Sequence, residues 1–175
     1  MAHDSVLIIA DCGSPVYPGA EGNGWRLVTD NVMGGVSDGQ LGIEEIAGRR
    51  CVRLRGTVRT ENNGGFIQAA LDLGAPWRRD AGGYHGVVID VYGNDESYNL
   101  HLRQEGLRLP WQAFRATFRA AAQWQTRYLP FAGFRPHATN AVLRPDRLTR
   151  IGVVAIGRAF PSDICVARIG YYCAQ

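Results

Sequence analysis

Apolar and polar residues alternate with a period of two in short runs along most of this chain, and the 3.6-residue period of an amphipathic helix is scarce. The alternating or continuously apolar runs are Leu41–Ile46, Cys51–Val58, Phe66–Leu71, Gly86–Tyr92, Tyr98–Gln104, Trp111–Phe118, Thr126–Leu129, Arg150–Ile156 and Ile164–Tyr172. Turn formers punctuate them: Ala47-Gly48, Glu61-Asn62-Asn63-Gly64-Gly65, Gly93-Asn94-Asp95, Glu105-Gly106 and Phe160-Pro161-Ser162-Asp163. Many short strands with frequent turns predict an all-β fold, an antiparallel sandwich or barrel, with α-helix below about a tenth of the chain. Phe114 to Gln123 reads equally as a short helix or a strand. Trp25 to Ser37 reads as an irregular, exposed loop with buried apolar anchors. No repeat or linker is visible, so residues 1–175 are expected to form one domain.

Strand parity sorts side chains into faces. Val87, Ile89 and Val91 fall on one face of their run, and Asp90 and Tyr92 on the other. Tyr98, Leu100 and Leu102 fall together, opposite Asn99, His101 and Arg103. With the two apolar sets in the core, Asp90, Tyr92, Asn99, His101 and Arg103 are expected to share an outer face. Trp111 and Arg115 join it from the next run, opposite Phe114 and Phe118. Such a face is either a contact surface or an ordinary solvated one. Arg103 is the favoured contact residue, expected to lie between a carboxylate and an aromatic ring.

Composition narrows the classes. The chain is 46% hydrophobic and 20% charged, which excludes disorder, and its 22 glycines and eight prolines suit numerous turns. A formal charge of +3 with no basic run speaks against nucleic-acid binding. All nineteen basic residues are Arg, which points to a GC-rich, bacterial genome rather than to anion recognition. The first residues lack a basic n-region, and Val6–Ala10 is too short for a signal or membrane segment, so a cytoplasmic chain without a transmembrane segment is expected. Cys12, Cys51, Cys165 and Cys173 form no CxxC pair and are expected as reduced, partly buried thiols. The spacing of Cys165 and Cys173 places both on one strand face. No metal site and no cofactor is expected. Trp25, Trp124 and Phe131 are expected in the core.

Two glycine-doublet loops carry the most information: Asp30-Asn31-Val32-Met33-Gly34-Gly35-Val36-Ser37 and Asn62-Asn63-Gly64-Gly65-Phe66. Neither matches a phosphate-binding loop. Glycine doublets permit sharp turns or close approach of another backbone or a ligand. The two loops are expected to meet in space, with Met33 and Phe66 plugging the end of the core. Asp30, Asn31, Met33, Gly34, Gly35, Asn63, Gly64 and Gly65 are candidate binding residues or, alternatively, loop braces.

The string Val28-Thr29-Asp30-Asn31-Val32-Met33-Gly34-Gly35-Val36-Ser37 after Trp25 resembles the signature of the complex I intermediate-associated protein family, the thirty-kilodalton assembly factors. Asn63-Gly64-Gly65-Phe66, Tyr98-Asn99-Leu100-His101-Leu102-Arg103 and the block from Trp124 through Leu129-Pro130-Phe131 to Phe134-Arg135-Pro136 follow in the family's order. The resemblance covers about residues 25–157. It implies a galactose-binding-like jelly-roll β-sandwich, the architecture of many carbohydrate-binding modules, and relatives that help assemble respiratory complex I. One departure stands out: where many members carry an Arg shortly after Gly-Gly-Phe, this chain reads Ile67-Gln68-Ala69-Ala70-Leu71.

Three functions are open to such a chain. The first is a non-catalytic binding or assembly module for a protein partner, such as a respiratory-complex subunit. The second is a module for a carbohydrate or small ligand. Catalysis is the third and weakest: adjacent carboxylates such as Glu44 and Glu45 point to opposite strand faces, Asp95 sits in a turn, and nothing converges on a nucleophile. The expectation is therefore a protein that is not an enzyme.

Overall fold

In a computed structural model of the chain, residues 5–13 and 24–174 are described. Their twelve strands are β1 (Val6–Asp11), β2 (Trp25–Thr29), β3 (Gln40–Ile46), β4 (Arg49–Val58), β5 (Phe66–Asp72), β6 (Gly86–Tyr92), β7 (Glu96–Gln104), β8 (Ala113–Ala120), β9 (Gln125–Pro130), β10 (Arg135–His137), β11 (Leu148–Ile156) and β12 (Phe160–Tyr172). The α-helix among them is α1 (Pro76–Arg79), a single turn. The segment at Phe114 is strand β8. Trp25–Thr29 is also a strand, followed by a 3-10 turn over Asp30–Met33, so the irregular loop expected from Trp25 begins only at Asp30.

The strands form two antiparallel sheets. Sheet A runs β3-β4-β12-β6-β9, and sheet B runs β10-β8-β7-β11-β5-β2. The first half of β12 pairs with β4 and its second half with β1, so β1 continues the course of β4 along one edge of β12. The sheets face each other in a sandwich. Val87, Ile89 and Val91 of sheet A and Tyr98, Leu100 and Leu102 of sheet B are all fully buried in one core with Phe114, Ile151, Val153, Ile169 and Tyr171. Each such side chain contributes roughly 1.5–3 kcal/mol through removal from water.

Parity thus gives the inward faces of β6 and β7 correctly, but the two strands belong to different sheets. The chain turns the corner at Gly93, where an added Cβ would fall 2.3 Å from the Ala120 Cβ. Gly93 and Asp95 donate their amides to Ala121 O and Ala120 O, which fixes the crossing. In β12, a register shift between Val166 and Arg168 turns the alternation around. Val166 faces the core before it, and Ile169 and Tyr171 after it. Cys165 and Cys173 therefore have opposite parity rather than one face. All four cysteines are free.

Candidate functional site

The shared outer face expected from β6 and β7 does not exist. Asp90 and Tyr92 look out from sheet A, and His101, Arg103 and Arg115 from sheet B on the opposite side of the sandwich.

On sheet A, Asp90 is buried and fully engaged. It accepts from Thr126 Oγ1 at 2.8 Å and Arg49 Nη2 at 3.0 Å, and pairs with Arg168 Nε at 3.0 Å. The Tyr92 ring meets Trp124 edge-on, with centroids 5.7 Å apart. Trp124 is not a core residue. It covers Cys51, Cys165 and Ala167 on the outside of sheet A, its indole N–H donates to Ile46 O at 2.9 Å, and the Arg49 guanidinium lies 4.8 Å above its ring. These residues form a closed structural cluster, so Asp90 and Tyr92 leave the candidate site.

The glycine loops do meet, through one buried carboxylate. Asp30 has no exposed surface. It accepts the Ser37 hydroxyl at 2.5 Å, the Gly65 amide at 2.6 Å, the Ser37 amide at 3.0 Å and the Phe66 amide at 3.3 Å. Burial alone would raise the Asp30 carboxyl, but the Ser37 hydroxyl and then the amides of Gly65, Ser37 and Phe66 outweigh it and hold the pKa below the ordinary value. Glycines make the room. An added Cβ would fall 2.4 Å from Asp30 Cγ at Gly35, and 2.6 Å from Asp30 Oδ2 at Gly64. Gly34 caps the 3-10 turn with φ +84°, and Gly65 and Asn63 also take positive φ. Asn31 accepts the Gly34 amide on its carbonyl, and Asn62 Nδ2 donates to Gly34 O. Asp30, Asn31, Gly34, Gly35, Asn63, Gly64 and Gly65 thus brace two crossings between the sheets. Met33 does not plug the core; it is 52% exposed.

Sheet B carries the open face. One row across it reads Arg135, Arg115, His101, Gly152, Ala70 and Arg26 on successive strands. The neighbouring row holds Arg103, Arg150 and Asp72. Asp72 is the one carboxylate at an outward strand position of this sheet among the described residues, and it is taken: Arg26 Nε donates at 2.7 Å and Arg150 Nε at 3.0 Å. Arg103, Arg115 and Arg135 have no carboxylate partner among the described residues. Gln68 lies across Gly152, where an added Cβ would meet its Oε1 at 1.9 Å.

Arg103 is not held between a carboxylate and a ring. Its Nη1 donates to Gln112 O at 2.6 Å, Leu109 O at 2.9 Å and Pro110 O at 3.1 Å, and its Nη2 to Leu107 O at 3.4 Å. It pins the β7–β8 connection and so fixes the half-exposed Trp111 and Leu109 at the rim of the face. Arg115 is different: its Nε is buried with no hydrogen-bond partner among the described residues, and so is Nε2 of His101 on the next strand. Burial pushes both pKa values down, that of His101 to about 3, with Arg115 and His137 adding repulsion. His101 is therefore a neutral imidazole beside a guanidinium that no carboxylate among the described residues compensates. Arg135, Arg150 and His137 join the face through strand pairings that no single run of sequence reveals.

The family model that matches, over residues 18–161, is described as complex I intermediate-associated protein 30. No curated protein matches. Among solved structures, the chain is similar to the family 11 carbohydrate-binding module of cellulosomal cellulase Lic26A-Cel5E of Clostridium thermocellum, with TM-score 0.77, 12% identity and coverage of 99% of this chain and 97% of the module. A family 11 module from the same organism in complex with a β-1,3-1,4-mixed-linked tetrasaccharide gives 0.75, 13%, 100% and 99%. The family 30 module of cellulase Cel9D-Cel44B, also from C. thermocellum, gives 0.55, 15%, 79% and 91%. At these identities the likeness is one of fold, a galactose-binding-like jelly-roll sandwich.

Proposed function

The chain belongs to the complex I intermediate-associated protein 30 family, and on that premise we propose that it is a non-catalytic binding module that engages a protein partner through the outer face of sheet B. By the family's description, that partner is a respiratory-complex intermediate. The carrying observation is the cluster of Arg103, Arg115 and Arg135 on one face, none of them paired with a carboxylate among the described residues, with Arg115 Nε buried and without an acceptor there. Arg103 is held by backbone carbonyls and Arg135 is exposed, but the buried Arg115 Nε has no acceptor among the described residues, and such a desolvated donor costs stability unless something outside the chain satisfies it. The same face supports a protein better than a glycan. Sugar sites are lined by aromatic rings, whereas among the described residues this face has Trp111 at its rim and Phe66 at one end, and no Trp or Tyr at an outward strand position of sheet B. Among the described residues of this face, no nucleophile, base and oxyanion donor converge.

A photo-crosslinking residue at exposed Thr117, on this face, tests the reading against one at exposed Tyr128, outside sheet A. In the native host, Thr117 is expected to capture a discrete protein and Tyr128 not to. Capture from Tyr128 alone, or from neither, sinks the proposal.

A further inference from the structure

We propose that the partner presents an acidic segment to this face, with a carboxylate on Arg115, further carboxylates towards Arg135 and Arg103, and an apolar residue against Trp111 and Leu109; this rests on the protein-binding function proposed above. Three observations carry it. Arg115 is half-buried, and its Nε–H has no acceptor among the described residues. A partner carboxylate supplies that acceptor, and guanidinium–carboxylate pairs are among the stronger hydrogen bonds. The cationic groups are also spread out. Arg135, Arg115 and Arg103 stand on three adjacent strands, at least about 9.5 Å from first to last at the usual strand spacing, with the neutral His101 directly across from Arg115. That span exceeds a single small anion and suits successive carboxylates of an extended chain. Finally, Trp111 and Leu109 are 50% and 43% exposed beside the arginines, on a connection that Arg103 holds rigid. A basic field with a fixed apolar rim selects an acidic segment flanked by an apolar side chain. A nucleic acid fits less well, because the formal charge is only +3 with no basic run, and Trp111 is a single exposed ring at the rim rather than a series of rings for successive bases.

The probe is a fluorescein-labelled decapeptide of alternating Glu and Gly carrying one terminal Leu, with its Gln counterpart, read by anisotropy on the full chain. The Glu peptide is expected to bind, to weaken steadily with salt, and to outcompete a single-stranded DNA of equal charge. Arg115→Gln is expected to weaken it about tenfold, and Arg135→Gln, at an exposed position, by several-fold with an unchanged melt. Arg55→Gln, outside sheet A, should leave it unchanged. Equal binding of the Gln peptide, insensitivity to both sheet B variants, or tighter binding of DNA overturns the inference. The two proposals fail separately. Capture from Thr117 that ignores Arg115→Gln ends the acidic assignment and leaves the protein-binding face standing, whereas loss of that capture in the unmodified background ends both.

Discussion

The Gly65 amide donates to the Asp30 carboxylate at 2.6 Å, and through that bond two loops 35 residues apart in sequence become one structural unit. The loops cross from sheet B to sheet A and back, so the carboxylate joins the sheets at one end of the sandwich. Asp30→Asn keeps the size but forfeits two acceptor sites and the charge. It is expected to cost about 2–4 kcal/mol in urea unfolding. The pH dependence follows from the depressed carboxyl pKa. Its stabilisation is complete above the unfolded value, about 3.9, and is lost as pH falls through the folded one. The gap between wild type and Asp30→Asn should therefore close on acidification; a gap constant down to pH 2 contradicts this role.

Gly64 and Gly34 are glycines for different reasons, and alanine separates them. At Gly64, φ is −77°, open to any residue, but an added methyl would sit 2.6 Å from Asp30 Oδ2 and 2.9 Å from Gly35 Cα. At Gly34 there is open space, but φ is +84°. Gly34→Ala is expected to cost about 1 kcal/mol of backbone strain. Gly64→Ala should cost clearly more, about 2–3 kcal/mol, because atoms of the shared hub must move. Equal losses would show that the hub yields to the methyl.

Arg103→Ala is expected to destabilise the fold by about 1–3 kcal/mol, since four carbonyl oxygens of the β7–β8 connection lose a charged donor. Trp111 fluorescence should shift towards that of a mobile indole. A side chain that serves only as a contact, with no part in holding the connection, predicts the other outcome: an unchanged melt and an unchanged Trp111 signal with weakened binding. Measuring melt and emission on one variant separates them.

The strands were legible because a half-buried sheet writes its faces into period two: Val87, Ile89 and Val91 point inward as read. Period two does not say which sheet a strand joins. That is decided at corners such as Gly93 against Ala120, a contact between residues far apart in sequence, and the misplacement of Asp90 and Tyr92 beside His101 follows from it. Short strands were equally opaque. β10 is three residues with a proline at its centre, and β2 hides before the Asp30 loop. In the candidate site, Arg115 and His101 were recognisable by parity, but Arg135 arrives through the β8–β10 pairing. The capture of Arg103 by carbonyls depends on how residues 107–112 fold back.

His101 offers a last measurement, because its pH behaviour tells an imidazole whose Nε2 is buried without a partner among the described residues from an ordinary surface one. Burial comes first among the causes that push its pKa to about 3, and the charges of Arg115 and His137 act in the same direction. The unfolded chain binds a proton there near pH 6.5, and the folded chain does not. Stability from this site is therefore intact above about pH 6.5 and declines as pH falls towards 3, at up to about 1.4 kcal/mol per pH unit. His101→Gln removes the titration. Subtracting its unfolding free energy from that of wild type at each pH also cancels the contributions of Asp30 and His137. The difference should be flat above pH 7 and should move against wild type below 6. Imidazole carbon shifts read the same property directly, and His101 is expected to stay neutral below pH 4 in the free protein. The acidic decapeptide should raise its midpoint by neutralising Arg115. A free-state midpoint near 6.5 would mean that His101 is solvated, and that the face around Arg115 is open water rather than a desolvated site awaiting a carboxylate.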